Sequence, residues 1–540
     1  MIRNRADSAA NLVYPHLRSP PAFPVKMPQL EELTVTLRAG DDVAIARTPL
    51  AAGLQLDTAN GPLTLPRLIP PGHKIALRNL SPGAPVRKYG QIIGFAEGAI
   101  SRGDHVHTHN LVVRDFPRGG QPTPQTSVMP PSSELARKFS GYLRHDGKVG
   151  TRNYLAVISS VNCSASVARH VKDRFPDDLL RRNYPNVDGV IAFTHKGGCG
   201  LQPGTPHQIL MRVLAGIARH PNIAGCVMVG LGCEVNQLDQ LRREQRLDPD
   251  VTNPGSPVFL NIQSTGGTRK TIDTAARALE RLLPIAQARQ RTPQPVDRLI
   301  LAEQCGGSDA YSGITANPAL GVASDELVRH GGTSVLAETP EIYGAEHLLV
   351  QRAVDANIAD RLMARIHWWE DHVRLHGASI DNNPAPGNKA GGLTTIYEKS
   401  LGAIAKGGQA PLAAVYEYAE PINTTGFCFM DTPGYDPVSM TGLVSGGCNV
   451  GVFTTGRGSV YGCKPTPCIK VAASTPLYQL LEDDIDLNAG TILDGTESVQ
   501  QVGLRLFEMI VAVASGQRTR SELNGLGDEE FAPWQLGPTF

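Results

Sequence analysis

The chain is 540 residues long, 41% hydrophobic and 19% charged, with Lys+Arg and Asp+Glu balanced at 51 each. At roughly 100–200 residues per domain that length predicts two to four domains, and the apolar fraction excludes wholesale disorder. Zero net charge and 5% aromatic residues remove the electrostatic and stacking footprints of a nucleic-acid binder. No apolar run approaches the ~18 residues that span a bilayer. The N-terminus has no apolar core of a secretory signal. Nine cysteines are too few for a disulfide framework in so long a chain. A cytoplasmic protein with free thiols and no membrane partner is the expectation.

Residues 1–30 carry Pro15, Pro20, Pro21, Pro24 and Pro28 without an apolar period and read as an extended arm. Residues 31–115 hold short alternating runs (LTVTLR, VAIARTPL, KIALRNL, QIIGFA, LVVRD) split by Gly and Pro, the pattern of a small β-rich domain. Residues 116–140 are rich in Pro, Ser and Thr and read as a linker. A strand–loop–helix phrase then repeats. YLAVISSV leads to Asn162-Cys163-Ser164, GVIAFTH to Lys196-Gly197-Gly198-Cys199-Gly200, and GCVMVGLG to Cys233-Glu234. PVFLNIQ leads to Ser264-Thr265-Gly266-Gly267, and DRLILAEQ to Cys305-Gly306-Gly307-Ser308-Asp309. Near-continuous apolar runs between helices predict buried, mainly parallel sheets. The fold class is therefore α/β: a small N-terminal β-rich domain followed by a large α/β region. A boundary near 380 would divide that region into a catalytic domain, 141–380, and a second α/β domain, 381–540.

In open α/β sheets ligands bind at the carboxyl ends of strands, where Cys199, Cys233 and Cys305 all fall. Three thiolates from three loops suit an iron ion, or a cluster with one iron left open. Cys163 occupies a similar place and could replace one of them. The plainer reading of each is a small residue in a tight turn. Cys226 and Cys428 lie inside apolar runs and are expected in the core. His105-Val106-His107-Thr108-His109 alternates with period 2, so a strand would put its imidazoles on one face, as an alternative site for a divalent cation or an anion. His73-Lys74 offers a base and a cation at a turn. His195 stands at a strand end where an acid–base group or a core histidine would fit. Asp309 suits either metal binding or capping of the next helix. Asn388-Lys389 and Thr455-Gly456-Arg457 offer amide, hydroxyl and cationic donors for a carboxylate-bearing polyol. Neither GxGxxG after the first strand nor GxxxxGK[ST] is present.

The phrases GYLRHDGKVGTRNY, GLGCE, CGGSDAYSGITANPALG, NPAPGNKAGG and FTTGRG occur in an order that resembles the altronate and galactarate dehydratases. The resemblance runs from about Leu33 to the C-terminus, and the segment 31–115 resembles their SAF-type domain, with His73-Lys74 matching a Gly-His-Lys phrase. HVHTHN looks like the altronate branch, whereas FMDTPGYDPVSMTG and Gly462-Cys463-Lys464-Pro465 depart from it. The resemblance implies an iron(II)-dependent hydro-lyase converting a 2,3-dihydroxy sugar acid to a 2-keto-3-deoxy acid. An iron–sulfur cluster or another divalent cation is the alternative cofactor. In that reading Cys199, Cys233 and Cys305 surround the metal, with His105 and His107 as the alternative. His73, Lys74, His195 and Asp309 are the catalytic set, with His195 in proton transfer, His73 and Lys74 reaching over from the SAF-type domain and Asp309 binding metal or orienting a hydroxyl. Asn388, Lys389, Thr455 and Arg457 hold the acid. Assembly into a homo-oligomer is a further expectation. A lyase for a related hydroxy or sulfonated acid and a non-catalytic sugar-acid sensor are the competing readings.

Overall fold

The computed structural model describes residues 27–116, 137–248, 252–253 and 255–537. Most of the predicted arm and of the linker lies outside these residues. The N-terminal module is strand-rich, as the alternation required. One antiparallel sheet runs in the order Thr34–Val35, Val43–Ala46, Lys74–Ala76, His105–Val106, and a second joins Pro85–Lys88, Gln91–Ala96 and Leu111–Val112. Their inward residues, Val43, Ala76, Val86 and Ile93, share one core with Leu412, Val415, Phe427 and Phe429 of the large C-terminal sheet. The module is thus packed into the rest of the chain.

Two parallel sheets form the α/β region. The smaller runs Gly189–Phe193, Tyr154–Ser159, Ile223–Gly230, Val258–Asn261. Alternation divides its strands between two cores. Leu155, Val157, Val227 and Val229 pack on the helices Ala165–Lys172 and Thr268–Ala288. Ala156, Ile158, Ile191 and Met228 face the helix Thr205–Ala218 and share a core with Ala302, Cys428 and Phe453 of the larger sheet. Gly216 makes that junction close: a Cβ there would stand 2.1 Å from Ser445 O of the facing helix Asp436–Gly446.

The larger sheet is seven-stranded and parallel, in the order Leu412–Tyr416, Gly426–Met430, Thr333–Leu336, Ile300–Cys305, Val450–Thr455, Cys468–Ala472, Leu487–Asn488. Helices Ala316–Arg329 and Val499–Ala514 bury Leu320, Leu327, Leu506 and Ile510 against Leu301, Val452 and Ile469. Strands from both sides of residue 380 pair here, so the expected boundary at 380 is not a structural one. The change of sheet comes near residue 290 instead, after the helix Thr268–Ala288. The loop 382–389 follows a helix and lies between strands of one sheet.

Candidate functional site

The central strand of the large sheet ends in a buried ionic cluster. Cys305 Sγ lies 2.8 Å from Lys406 Nζ, 3.7 Å from Glu338 Oε2 and 3.6 Å from Glu341 Oε2. Glu341 Oε1 also accepts from Lys399 Nζ at 2.6 Å and Asn383 Nδ2 at 2.8 Å. Burial pushes the Cys305 thiol up to about 12 and, with Glu341 beside it, Glu338 up to about 8. Burial also works to raise Glu341, but Lys399 and Lys406 outweigh it and hold that carboxyl below the ordinary range. Glu338 sits at φ 71°, its Oε1 is buried without a hydrogen-bond partner, and its N–H donates to Thr432 Oγ1 at 2.9 Å. Left-handed backbone at a non-glycine residue costs about 1–3 kcal/mol and concentrates at functional sites. The ligand atoms of Cys305, Glu338 and Glu341 fall within 4.8 Å of one another. Lys406 already supplies positive charge there, however, and all four residues are buried.

The N-terminal module contributes a second, half-open cluster. Its antiparallel register pairs Lys74 with Val106 and Ile75 with His105, which carries His73 alongside His107. His73 Nδ1 lies 2.9 Å from His105 Nε2, and the His107 ring centroid is 4.7 Å from that of His73. The three ligand nitrogens lie within 4.8 Å of one another. Burial and the neighbouring imidazoles pull His105 down to about 3. Burial and Lys74 pull His107 down to about 4, and burial lowers His73 as well. All three are therefore neutral at pH 7; His105 Nε2–H donates to His73 Nδ1, a proton that a bound cation would displace, and His107 Nδ1 is buried without a partner. His109 is exposed, its ring centroid 5.4 Å from that of His105. The predicted strand through His109 stops at Val106, and residues 107–110 turn instead.

One loop joins these features. His73 Nε2 contacts Ala390 O at 3.3 Å. A Cβ on the next residue, Gly391, would stand 2.9 Å from Asp309 Cβ and 3.2 Å from Arg457 Cδ. Segment 388–392 is thus a wall shared by the histidines and by the loops that follow the strands ending at Cys305 and Thr455. Lys74 clamps it: its Nζ donates to Gly392 O at 2.6 Å and to Glu398 at 3.0 and 2.8 Å, and Lys88 Nζ meets Glu398 at 2.9 Å. Burial pulls Lys74 down to about 8 against the attraction of Glu398. Lys74 Nζ has three acceptors for its three hydrogens, so it anchors this segment.

Other predicted residues prove to shape backbone. Asp309 Oδ1 accepts from Tyr311 N, Ser312 N and Ser312 Oγ at 2.9–3.0 Å, so it caps a turn. Asn388 donates to Ser308 O at 2.7 Å and accepts from Ala385 N at 2.9 Å, and Thr455 Oγ1 accepts from Gly458 N at 3.0 Å. Arg457 is exposed and Lys389 half-buried on the rim. His195 belongs to the smaller sheet. Its Nδ1 accepts from Gly197 N at 3.2 Å, which leaves Nε2–H to donate to Ser159 O at 3.0 Å. Burial takes it down to about 4. The metal set Cys199, Cys233 and Cys305 does not converge: the first two are exposed at the edge of the smaller sheet, while Cys305 is buried in the larger one. Cys226 and Cys428 are buried, as expected. Sequence reasoning missed Glu338, Glu341, Glu398, Lys88, Lys399 and Lys406. Their only local signal is the spacing of Glu338 and Glu341, since the cluster assembles across five segments of chain.

Comparison with known proteins covers the described chain almost completely. Residues 32–114 match the altronate/galactarate dehydratase SAF domain. Residues 141–287 match the second domain of D-galactarate dehydratase/altronate hydrolase, and residues 296–539 match the C-terminal domain of D-galactarate/altronate dehydratase. The chain is 35% identical over 510 residues to an altronate dehydratase of Escherichia coli (strain K12), covering 94% of this chain and 99% of that one. It is 37% identical over 515 residues to a galactarate dehydratase (L-threo-forming) of the same organism, covering 95% and 96%. An altronate dehydratase of Bacillus subtilis (strain 168) is 34% identical over 507 residues, covering 94% and 99%.

Proposed function

The chain belongs to the altronate/galactarate dehydratase family, and from that premise we propose that it removes water from a sugar acid in the cleft between the SAF domain and the large sheet. The observation that carries the placement is the trio His73, His105 and His107, three neutral imidazoles with convergent nitrogens and one buried, unpartnered Nδ1. Such a set fits a first-row divalent metal, and its half-open position leaves room for a substrate ligand where the buried Cys305 cluster does not. Iron(II) held there would act as a Lewis acid toward the substrate's carboxylate and its departing hydroxyl.

The chain's own residues supply the rest. The substrate is a 2,3-dihydroxy acid: the C2–H and C3–OH bonds break, water leaves, and the enol tautomerises to the 2-keto-3-deoxy acid. Arg457 and Lys389 on the rim hold carboxylate charge, because Arg forks onto two oxygens and Lys adds a point charge. His109, exposed beside the trio, is the imidazole placed to take the C2 proton. Asn388, Asp309 and Thr455 fix the loops that present these groups, and the Lys74–Glu398–Lys88 anchor holds the module over the cleft.

An anaerobic turnover screen over aldonic and aldaric acids, with and without added Fe(II), tests this reading. Iron-dependent 2-keto-3-deoxy product from altronate, galactarate or a close stereoisomer is expected. Binding of such acids without any product would contradict it and favour a sensor.

A further inference from the structure

The smaller sheet carries a feature that the cleft does not use. Of nine cysteines, only Cys163, Cys199 and Cys233 are exposed; five of the others are buried and Cys463 is intermediate. Free cysteine is among the most buried residue types, so exposure confined to one edge calls for a reason. The three follow adjacent parallel strands, Tyr154–Ser159, Gly189–Phe193 and Ile223–Gly230, at their carboxyl ends.

Their loops are tied to one another. Asn162 N donates to Gly197 O at 3.0 Å, and Asn236 N to Gly198 O at 3.1 Å. Asn236 Nδ2 donates to Ser160 O at 2.9 Å, and Ser160 Oγ to the buried Glu234 carboxylate at 2.9 Å. Each thiol therefore stands one residue from a direct bond to a neighbouring loop. Gly198, at φ +98°, makes the approach close, since a Cβ there would lie 2.6 Å from Ser160 O. His195 braces the same turn through Ser159 and Gly197. Beneath the rim the buried Asn236 Oδ1 and Asn261 Oδ1 have no hydrogen-bond partner.

We propose that Cys163, Cys199 and Cys233 are the three protein ligands of an iron–sulfur cluster seated on this edge, with one iron left for a non-protein ligand. Among the described residues no three thiols lie within 4.8 Å of one another. A single tetrahedral ion bound by thiolates at about 2.3 Å needs them about 3.8 Å apart, whereas a cubane, with its irons separated, spreads its thiolates more widely. Three exposed thiols on loops that follow adjacent strands and are tied by backbone bonds, yet do not meet within 4.8 Å, suit the second geometry. The site lies on a different sheet from the histidine trio, and its test does not depend on which acid is turned over.

The full chain would be reconstituted anaerobically with ferrous ion, sulfide and dithiothreitol, desalted, and assayed for iron, acid-labile sulfide and the visible and electron paramagnetic resonance signals of a cluster. About four irons and four sulfides per chain are expected, beyond any iron held without sulfide. Cys163→Ser, Cys199→Ser and Cys233→Ser should each lose most of the sulfide and the visible band while keeping the wild-type circular dichroism. Cys463→Ser should keep both. Iron bound through the thiols without sulfide, no sulfide in the wild type, or equal sulfide in all four variants would each overturn the assignment.

Discussion

At the level of single residues, the chemistry is set by which groups have lone pairs or charges left over. Burial, with Lys74 and the neighbouring imidazoles, holds His73, His105 and His107 neutral and leaves His107 Nδ1 unpartnered, while Lys74 has spent its hydrogens on Glu398 and Gly392. Replacing His107 with Ala should lower Fe(II) affinity and turnover by more than ~100-fold with little change in melting temperature, measured by metal titration and product formation. His195 plays a different part. Its folded-state value of about 4 lies below the ordinary 6.5, so the unfolded chain binds the proton first as pH falls. Its contribution is fully present above pH 6.5 and is lost as pH drops toward 4, by on the order of 3 kcal/mol. Urea midpoints taken from pH 7 to pH 4 should fall, and His195→Gln should flatten that fall. An equally steep fall in the variant would show that other groups cause it.

Among elements, the strand ends and the loops after them decide what meets what. Their placement was legible: apolar runs ending in Asn-Cys, Gly-Gly-Cys, Gly-Cys-Glu and Cys-Gly-Gly marked the parallel strands and the loops after them. Which sheet each strand joined was not legible, because Ile300–Cys305 and Ile223–Gly230 read alike although one pairs with Thr333–Leu336 and the other with Tyr154–Ser159. That ambiguity put Cys305 with Cys199 and Cys233 and left Cys163 as a mere substitute. The clamp on segment 388–392 was equally hidden, since Lys74 and Glu398 are 324 positions apart and only the folded chain joins them. Glu398 is flanked by Lys74 and Lys88, all three fully buried. Glu398→Gln would leave two ammonium groups without a counter-charge and should destabilise the fold by about 3–5 kcal/mol, read from urea unfolding. A change below about 1 kcal/mol would mean that the module is not held by this pair.

Across the whole molecule, the SAF domain shares its core with Leu412, Phe427 and Phe429 at one edge of the large sheet, so the histidines are held against the 388–392 wall by packing as well as by charge. Among the described residues no helix is long and apolar enough to cross a membrane. The histidines and the wall they face come from two parts of the chain that share one core and one buried ion-pair anchor, so neither part is expected to stay folded without the other. The most direct test compares iron-dependent dehydration by the wild-type chain with that of a His105→Ala/His107→Ala double variant, anaerobically, on the acid that gives product. Added Fe(II) should raise wild-type turnover and leave the double variant inactive although folded. Undiminished iron-dependent turnover in that variant would contradict it and move the reacting centre away from the histidine trio.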